Sequence, residues 1–272
     1  MTSTNANEEK IAMSKAERNR QRARERIAQA RAEEARRKQR RLWLSIAAAI
    51  VVLAAAATGI TLALSGGGGA QATGPSSPHL NLAPLSTLGS LKAAPPAGPN
   101  GPEGVPIPAG SPLATTSTKS TGGKVDGIGC QTNEQTIFHI HAHLTVFVNG
   151  TPRQIPAGIG IPDAKAQNTP QGQFIASGTC FYWLHTHAAD GIIHIESPVH
   201  RIYTLGNFFD EWGQPLGPNQ VGPVKGHVTA IYNGQAYKGN PRDIPLNAHA
   251  QIQLQVGTPL VAPISITFPN GL

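Results

Sequence analysis

The sequence lacks several features that would assign it to a common class of enzyme. It contains only two cysteines, and neither the zinc-hydrolase pattern His-Glu-x-x-His nor a glycine-rich nucleotide-binding motif is present. These absences argue against a zinc hydrolase of that type and against an enzyme that binds nucleotides. What remains to be interpreted is an uneven distribution of charge, apolar residues and histidine.

Most of the chain has no net basic charge, although the formal net charge of the whole chain is +7. Residues 1–41 hold 13 Lys/Arg and 6 Asp/Glu residues, so the rest of the chain has nine of each sign and no net charge. A nucleic-acid-binding domain would carry its own basic patch, and we therefore expect no nucleic-acid partner. The tail is rich in helix-forming Glu, Arg and Ala. It is either solvated and partly helical or lies on anionic lipid.

One uncharged segment is long enough to cross a membrane as a helix. Residues 42–65 are 24 residues without a charge, and about 20 apolar residues span a bilayer core. Because Arg and Lys residues crowd positions 36–41 and positive flanks stay in the cytoplasm, we expect a single-pass protein of the cell membrane with a cytoplasmic N-terminus. Membrane lipid is then the partner of residues 42–65, and no protein partner is indicated. A signal peptide cleaved after Ala72 is the alternative, although its positive region would be unusually long.

The region after the predicted span changes composition twice. Residues 66–124 begin with a run of four glycines and are rich in Pro and Ser, which is typical of a disordered linker. Residues 125–272 have the size of one domain and form the predicted extracytoplasmic part. Both cysteines, Cys130 and Cys180, lie there, so an oxidising compartment favours a disulfide between them. A thiolate metal ligand is the alternative.

The predicted domain is mainly β, with the pattern of a β-sandwich and one short helix. Strand-like runs occupy residues 138–148, 151–161, 228–232, 235–237 and 250–256, and residues 181–196 have the pattern of two strands joined by a short turn. Asn149-Gly150 and Asn233-Gly234 separate such runs, and Asn-Gly is a strong hairpin signal. Only residues 204–213 have a helical pattern. The similarity of residues 143–150 to residues 227–234 is explained equally well by duplication or by shared hairpin chemistry.

Nine of the ten histidines lie in the predicted domain, and six of them fall in two short segments. Side chains alternate between the faces of a strand, so alternating histidines project from one face. Two of them stand about 7 Å apart and can converge on one metal ion, whereas the outer two of three stand about 13 Å apart. The candidate ligands are His139, His141, His143, His185, His187 and His194.

The histidines predict one transition-metal ion in the domain. We expect His141, His185 and His187 to share this ion with either His139 or His143. His194 is the next candidate, either as a further ligand of the ion or as a residue that contacts one of its ligands. Imidazole clusters suit copper and zinc, and copper is favoured because it binds more tightly. Asp190 and Glu196 are candidates for an extra ligand, a hydrogen-bond acceptor or a catalytic general base.

Residues 178–187 resemble the Gly-Thr-x-Trp-Tyr-His-Ser-His motif of cupredoxin-type multicopper oxidases. That family has an earlier His-x-His pair some forty residues upstream, and here His185 follows His141 by 44 residues. The resemblance implies a cupredoxin-like Greek-key sandwich in which His139, His141, His185 and His187 bind copper. It covers about 60 of the 272 residues. It does not extend to oxidase activity, because the family's His-Cys-His segment has no counterpart here.

Three functions follow from these observations. The first is a membrane-anchored domain that binds or handles a metal, and the second is a metal-dependent, oxidoreductase-like enzyme using Asp190 or Glu196. The third is a metal-free structural or interaction module with a hydrogen-bonded histidine network. A cupin is the alternative fold, but the acidic residues after His187 do not have the spacing of the cupin motif.

Overall fold

The computed structural model describes residues 80–116 and 122–272. Two short 3-10 helices, Leu85–Leu88 and Pro241–Asp243, accompany the other elements. In chain order the strands and the single α-helix of the described residues are β1 (Leu82–Ala83), β2 (Cys130–Gln131), β3 (Phe138–Val148), β4 (Thr151–Arg153), β5 (Lys165–Thr169), β6 (Gly172–Ser177), β7 (Phe181–Tyr182), β8 (Leu184–His185), β9 (Ile192–Ser197), α1 (Leu205–Trp212), β10 (Leu216–Gly217), β11 (Gln220–Val221), β12 (Val224–Lys225), β13 (Val228–Tyr232), β14 (Gln235–Tyr237) and β15 (Gln251–Val256).

Strand β3 organises the main sheet. This sheet has eight strands in the order β1-β14-β13-β15-β3-β9-β8, with β4 also paired to β3. The first half of β3 runs antiparallel to β9, and from His143 onward it runs parallel to β15. The other strands form three small sheets, β10-β11-β12, β2-β7 and β5-β6. The prediction of a mainly β domain with one short helix is therefore confirmed.

The turn and cap signals of the sequence mark the observed boundaries. Asn149-Gly150 joins β3 to β4, and Asn233-Gly234 joins β13 to β14, with all four residues at positive φ. Such turns match the twist of the paired strands. Helix α1 lies inside the predicted range because Thr204 caps its N-terminus through Asn207 and Gly213 ends it in the left-handed conformation.

Helix α1 closes one side of the core. Leu205, Phe208, Phe209 and Trp212 are all buried in the same cluster as Leu184 of strand β8. Full burial of such side chains contributes roughly 1.5–3 kcal/mol each. The helix therefore holds in place a strand that carries a candidate metal ligand.

The two cysteines form the predicted disulfide. The Cα atoms of Cys130 and Cys180 lie 5.5 Å apart, within the range that a bridge requires. The bridge fastens β2 to β7 in their two-stranded sheet, and β7 leads directly into β8. A thiolate ligand is thereby excluded for both cysteines.

The structure corrects the boundary between linker and domain. Residues 80–116 were expected to be disordered because they are rich in Pro and Gly, but β1 adds to the edge of the main sheet by pairing with β14. Val105 and Leu113 are buried, and residues 80–116 belong to the same compact unit as residues 122–272. The prediction fails because a segment rich in Pro and Gly can still be ordered. It needs only to pack its apolar side chains against a folded domain and to pair its backbone with a strand of that domain.

The basic tail, residues 1–41, and the predicted span, residues 42–65, lie outside the described residues. Within 80–116 and 122–272, no helix is both long and apolar enough to cross a membrane.

Candidate metal centre

Strand register brings together histidines from separate segments. Strand β9 lies between β3 and β8, and His194 on β9 is opposite both His141 on β3 and His185 on β8. Glu196 is opposite His139 in the same ladder. Because Cβ atoms of opposite residues lie about 4.5–5.5 Å apart, this register clusters the side chains before any rotamer is chosen.

Four of these side chains form the first donor group, which we define as His139, His141, His194 and Glu196. The Nε2 atom of His141 lies 3.1 Å from both His139 Nε2 and His194 Nδ1. Glu196 Oε1 lies 3.1 Å from His139 Nε2 and 3.4 Å from His194 Nδ1. The four donor atoms therefore form a closed ring of short contacts.

The second donor group consists of His185, His187 and His194, so that the two groups share His194. The Nε2 atoms of His185 and His187 lie 3.2 Å apart. Glu134 extends this group, since its Oε1 atom lies 3.4 Å from His187 Nε2 and it also forms a donor group with His185 and Glu196. Within each group the donor atoms are within 4.8 Å of one another.

Backbone carbonyls fix the rings of His185 and His187. His185 Nδ1 donates to the carbonyl of Tyr182 at 2.8 Å, and His187 Nδ1 donates to the carbonyl of Ile175 at 2.6 Å. A carbonyl oxygen only accepts hydrogen bonds, so each Nδ1 atom carries the proton and each neutral ring keeps its lone pair on Nε2. The two lone pairs point at a shared space.

Glu103 enters the cluster from the segment assigned to the linker. The N–H of Gly101 bonds to the carbonyl of Val105, and the tight turn between them places Glu103 against His194. Glu103 Oε1 lies 2.7 Å from His194 Nε2. A carboxylate that accepts from the second ring nitrogen of a metal-binding histidine orients the ring and makes it a better ligand.

Aromatic rings cover one side of the histidine cluster, and partly exposed donors lie on another side. Phe174 stacks on the ring of His187 with centroids 4.9 Å apart, and Phe181 meets His185 edge-on. The side chains of His139 and Glu134 are 36% and 39% exposed, whereas those of the other donors are almost completely buried. His139 and Glu134 are therefore the donors most accessible to solvent.

Three buried imidazoles are held in the neutral form that binds metals. Burial, together with the neighbouring rings of His194 and His139, lowers the pKa of His141 to about 3. Burial lowers the pKa of His185 well below its usual range and also lowers the pKa of His187, and neighbouring histidines act in the same direction. The pKa of a free imidazole is about 6.5, so burial keeps these three rings neutral at a lower pH than a free imidazole.

His194 and Glu196 form a charged pair inside the cluster. Burial alone would lower the pKa of His194, but its hydrogen bonds to Glu103 and Glu196 outweigh burial and raise the pKa to about 9. Burial alone would raise the pKa of Glu196, yet the hydrogen bonds from His139 and His194 hold it well below its usual range. Without a metal, the proton of His194 supplies the positive charge beside the carboxylates.

The predicted ligand set is divided between the two groups. His141 lies with His139 in the first group, whereas His185 and His187 lie in the second. His143 is turned away, because its Nε2 atom bonds to the carbonyl of Asp190 at 3.0 Å and burial lowers its pKa to about 4. The structure therefore makes His143 a structural residue.

The two candidate bases have different surroundings. Glu196 lies within the first donor group, where its Oε1 atom contacts two imidazoles. Asp190 belongs to none of the donor groups among the described residues; its Oδ1 atom accepts from the N–H of Ile192 at 3.1 Å, and its Oδ2 atom is buried without a partner. Burial and the nearby Glu103 raise the pKa of Asp190 to about 7.

Sequence reasoning missed Glu103 and Glu134. Neither lies on a strand with alternating histidines, and only the folding of the Pro/Gly-rich segment brings Glu103 to His194. The signal that could have identified Glu134 is its position four residues before β3, where a loop next to His139 would reach the same face.

Comparison with known proteins adds no relative: no family model, no curated protein and no solved structure matches the chain.

Proposed function

We propose that residues 80–272 form a domain that binds transition-metal ions. The observation that carries this proposal is the pair His185 and His187, whose Nε2 lone pairs face each other at 3.2 Å while both Nδ1 atoms are engaged by carbonyls. Two neutral acceptors in such an arrangement repel each other. A cation between them removes the repulsion and satisfies both lone pairs.

The spacing of the donor atoms supports the proposal. Two ligands that are each about 2.0–2.1 Å from a tetrahedral ion lie about 3.3 Å from each other. The contact of 3.2 Å between His185 and His187 and the contacts of 3.1–3.4 Å around the first donor group are close to this value. The donors are therefore arranged for an ion without rebuilding the strands.

The donor chemistry favours a divalent ion. The described donors are imidazoles and carboxylates, the cysteines are joined in a disulfide, and the only two methionines, Met1 and Met13, lie in the tail. Soft ions such as Cu(I) prefer thiolate and thioether ligands, whereas imidazole with carboxylate suits Cu(II) and Zn(II). We propose copper ahead of zinc, in keeping with its tighter binding and with the local resemblance to cupredoxin-type copper sites.

We also propose that the domain lies outside the cytoplasm, held at the cell membrane by residues 42–65. The disulfide between Cys130 and Cys180 supports an oxidising compartment. A reporter fused after Leu272 that is active only outside the cytoplasm would agree with this placement. Activity of a cytoplasm-dependent reporter at the same position would contradict it.

The test of metal binding is elemental analysis of the full chain. The protein should be purified through a tag without histidine and without chelators, and it should contain at least one Cu or Zn per chain. His141→Ala combined with His185→Ala should remove the metal, whereas His227→Ala, which changes an exposed histidine outside the cluster, should not. A metal-free wild-type protein that also binds no added Cu(II) or Zn(II) would show that the histidines serve a structural network.

A second candidate function is metal-dependent oxidation, and Asp190 is the observation in its favour. Its buried Oδ2 atom has no hydrogen-bond partner. A general base needs such an oxygen to accept a proton from the substrate. If the copper-loaded chain oxidises a phenolic donor while reducing dioxygen, Asp190→Asn should slow turnover without loss of copper. No oxidation above that of a copper-free sample would restrict the protein to binding or handling the metal.

A further inference from the structure

The cluster offers more donors than one ion uses. Five imidazoles and the carboxylates of Glu134 and Glu196 take part in the three overlapping donor groups. A zinc or copper ion in an imidazole-carboxylate site takes four or five ligands at about 2.0–2.2 Å. These seven side chains exceed the four or five ligands of a single ion, so one ion cannot bind the whole cluster.

The donors divide naturally into two positions. His139 and His141 face the Nδ1 atom of His194 on one side. His185 and His187 face each other on the other side, with Glu134 next to His187. The stacked rings of His185 and His194 have centroids 5.4 Å apart, so the two positions are neighbours rather than separate sites.

Glu196 lies between these positions. Its Oε1 atom contacts His139 and His194, both in the first donor group. Its Oε2 atom is buried and has no hydrogen-bond partner, and the residue is only 4% exposed. Glu196 also belongs to the donor group of Glu134 and His185, so the same carboxylate reaches both positions. A buried carboxylate oxygen without a partner is costly unless a cation satisfies it.

We propose that the cluster is a two-metal centre in which the carboxylate of Glu196 bridges the ions. One ion is held by His139, His141 and His194, and the other by His185, His187 and Glu134. Carboxylate-bridged ions in two-metal sites lie about 3.5–4 Å apart. This inference rests on the proposed function and goes beyond it in the number of ions and in the role of Glu196.

The stoichiometry of the full chain tests the two-metal centre separately from metal binding itself. Chain stripped with chelator and reloaded with Zn(II) should retain two ions after desalting. His139→Ala with His141→Ala should leave one ion, as should His185→Ala with His187→Ala, and the matched control His227→Ala should leave two. One ion in the wild-type chain overturns the two-metal centre but leaves the proposed function intact, whereas no ion overturns both.

The bridge is tested by loading with Cu(II) and measuring electron paramagnetic resonance. Two bridged Cu(II) ions couple magnetically, so the wild-type chain should show a spin intensity well below its copper content. Each double variant should restore about one spin per copper, and so should Glu196→Gln, which cannot bridge as an anion. Full spin intensity in a wild-type chain with two coppers would overturn the bridge, and that measurement does not depend on any variant folding.

Discussion

Glu103 Oε1 and His194 Nε2 lie 2.7 Å apart, although 91 positions separate the two residues along the chain. Glu103 comes from a segment rich in Pro and Gly, and His194 is the residue shared by both donor groups. The Pro- and Gly-rich segment, residues 80–116, therefore contributes a side chain to the candidate metal centre.

Replacing Glu103 should weaken metal binding without unfolding the domain. Loss of a carboxylate that orients a metal-binding histidine typically lowers affinity by about 10–100-fold. We expect a change of this size for Glu103→Ala in competition with a chromophoric chelator. Asp243→Ala, an exposed acidic residue in the second 3-10 helix, is the control. Equal affinity of Glu103→Ala and wild type would mean that the contact does not support the ligand.

Glu211 should make the stability of the domain fall as pH rises. Its carboxyl group is fully buried with no hydrogen-bond partner, and burial, with Asp126 nearby, raises its pKa well above the usual range. An acid with a raised folded-state pKa favours folding below its unfolded pKa, about 4.3, and loses that advantage as pH rises towards the folded pKa.

The free energy of unfolding should therefore fall by up to about 1.4 kcal/mol per pH unit through this group. Glu211→Gln removes the titration, so its stability relative to wild type should increase between pH 5 and pH 8 in urea unfolding curves. Asp243→Asn, which changes an exposed acidic side chain, is the control variant. A constant difference between Glu211→Gln and wild type across this range would contradict the assignment.

Gly160 allows the backbone to approach strand β8. Its φ is +72°, and a Cβ atom there would lie 2.3 Å from the carbonyl oxygen of Leu184 and 3.0 Å from Cβ of His185. Gly160→Ala should therefore cost more than the roughly 1–3 kcal/mol of backbone strain, and it should displace His185 and weaken metal binding.

Gly234→Ala is the matched control for Gly160→Ala. Gly234 has a φ of +77°, but nothing lies within 4 Å of its added Cβ atom, so it tests strain without collision. Urea unfolding of both variants gives the comparison. Equal destabilisation, with metal affinity unchanged in both, would show that β8 moves aside at little cost.

The disulfide should contribute strongly to stability because it closes a long loop. Cys130 and Cys180 are 50 positions apart, for which the chain-entropy model gives roughly 4 kcal/mol. Cys130→Ser with Cys180→Ser should lower the free energy of unfolding by an amount of this order, as measured by urea denaturation. Reduced wild-type protein should behave like the variant, and unchanged stability in both would contradict the prediction.

Local signals account for the features that were predicted correctly. The Asn-Gly pairs fix two hairpins, Thr204 and Gly213 bound the helix, and alternation places His139 and His141 on one strand face. Each of these depends on residues close together in sequence, where the backbone conformation decides the outcome.

Long-range packing accounts for what the sequence did not predict. His143 has the right alternation, but β9 begins at Ile192, so the ring meets the turn at Asp190 instead of the other histidines. The contact between Glu103 and His194 requires residues 80–116 to fold onto the sheet, and their composition gives no sign of it. The alternation of residues along a strand shows which side chains share a face. It does not show which strands or loops pack beside that face.

The pairing of β1 with β14 has a practical consequence for recombinant work. A fragment starting at residue 125, where composition places the domain, would leave β14 as an open edge with unpaired backbone groups. Exposed edges of this kind promote association between chains. The same fragment would lack Glu103. If it aggregated or retained metal poorly, the cause would be the missing residues and not a property of the intact protein. Fragments beginning near Pro75 keep both the edge and the acid.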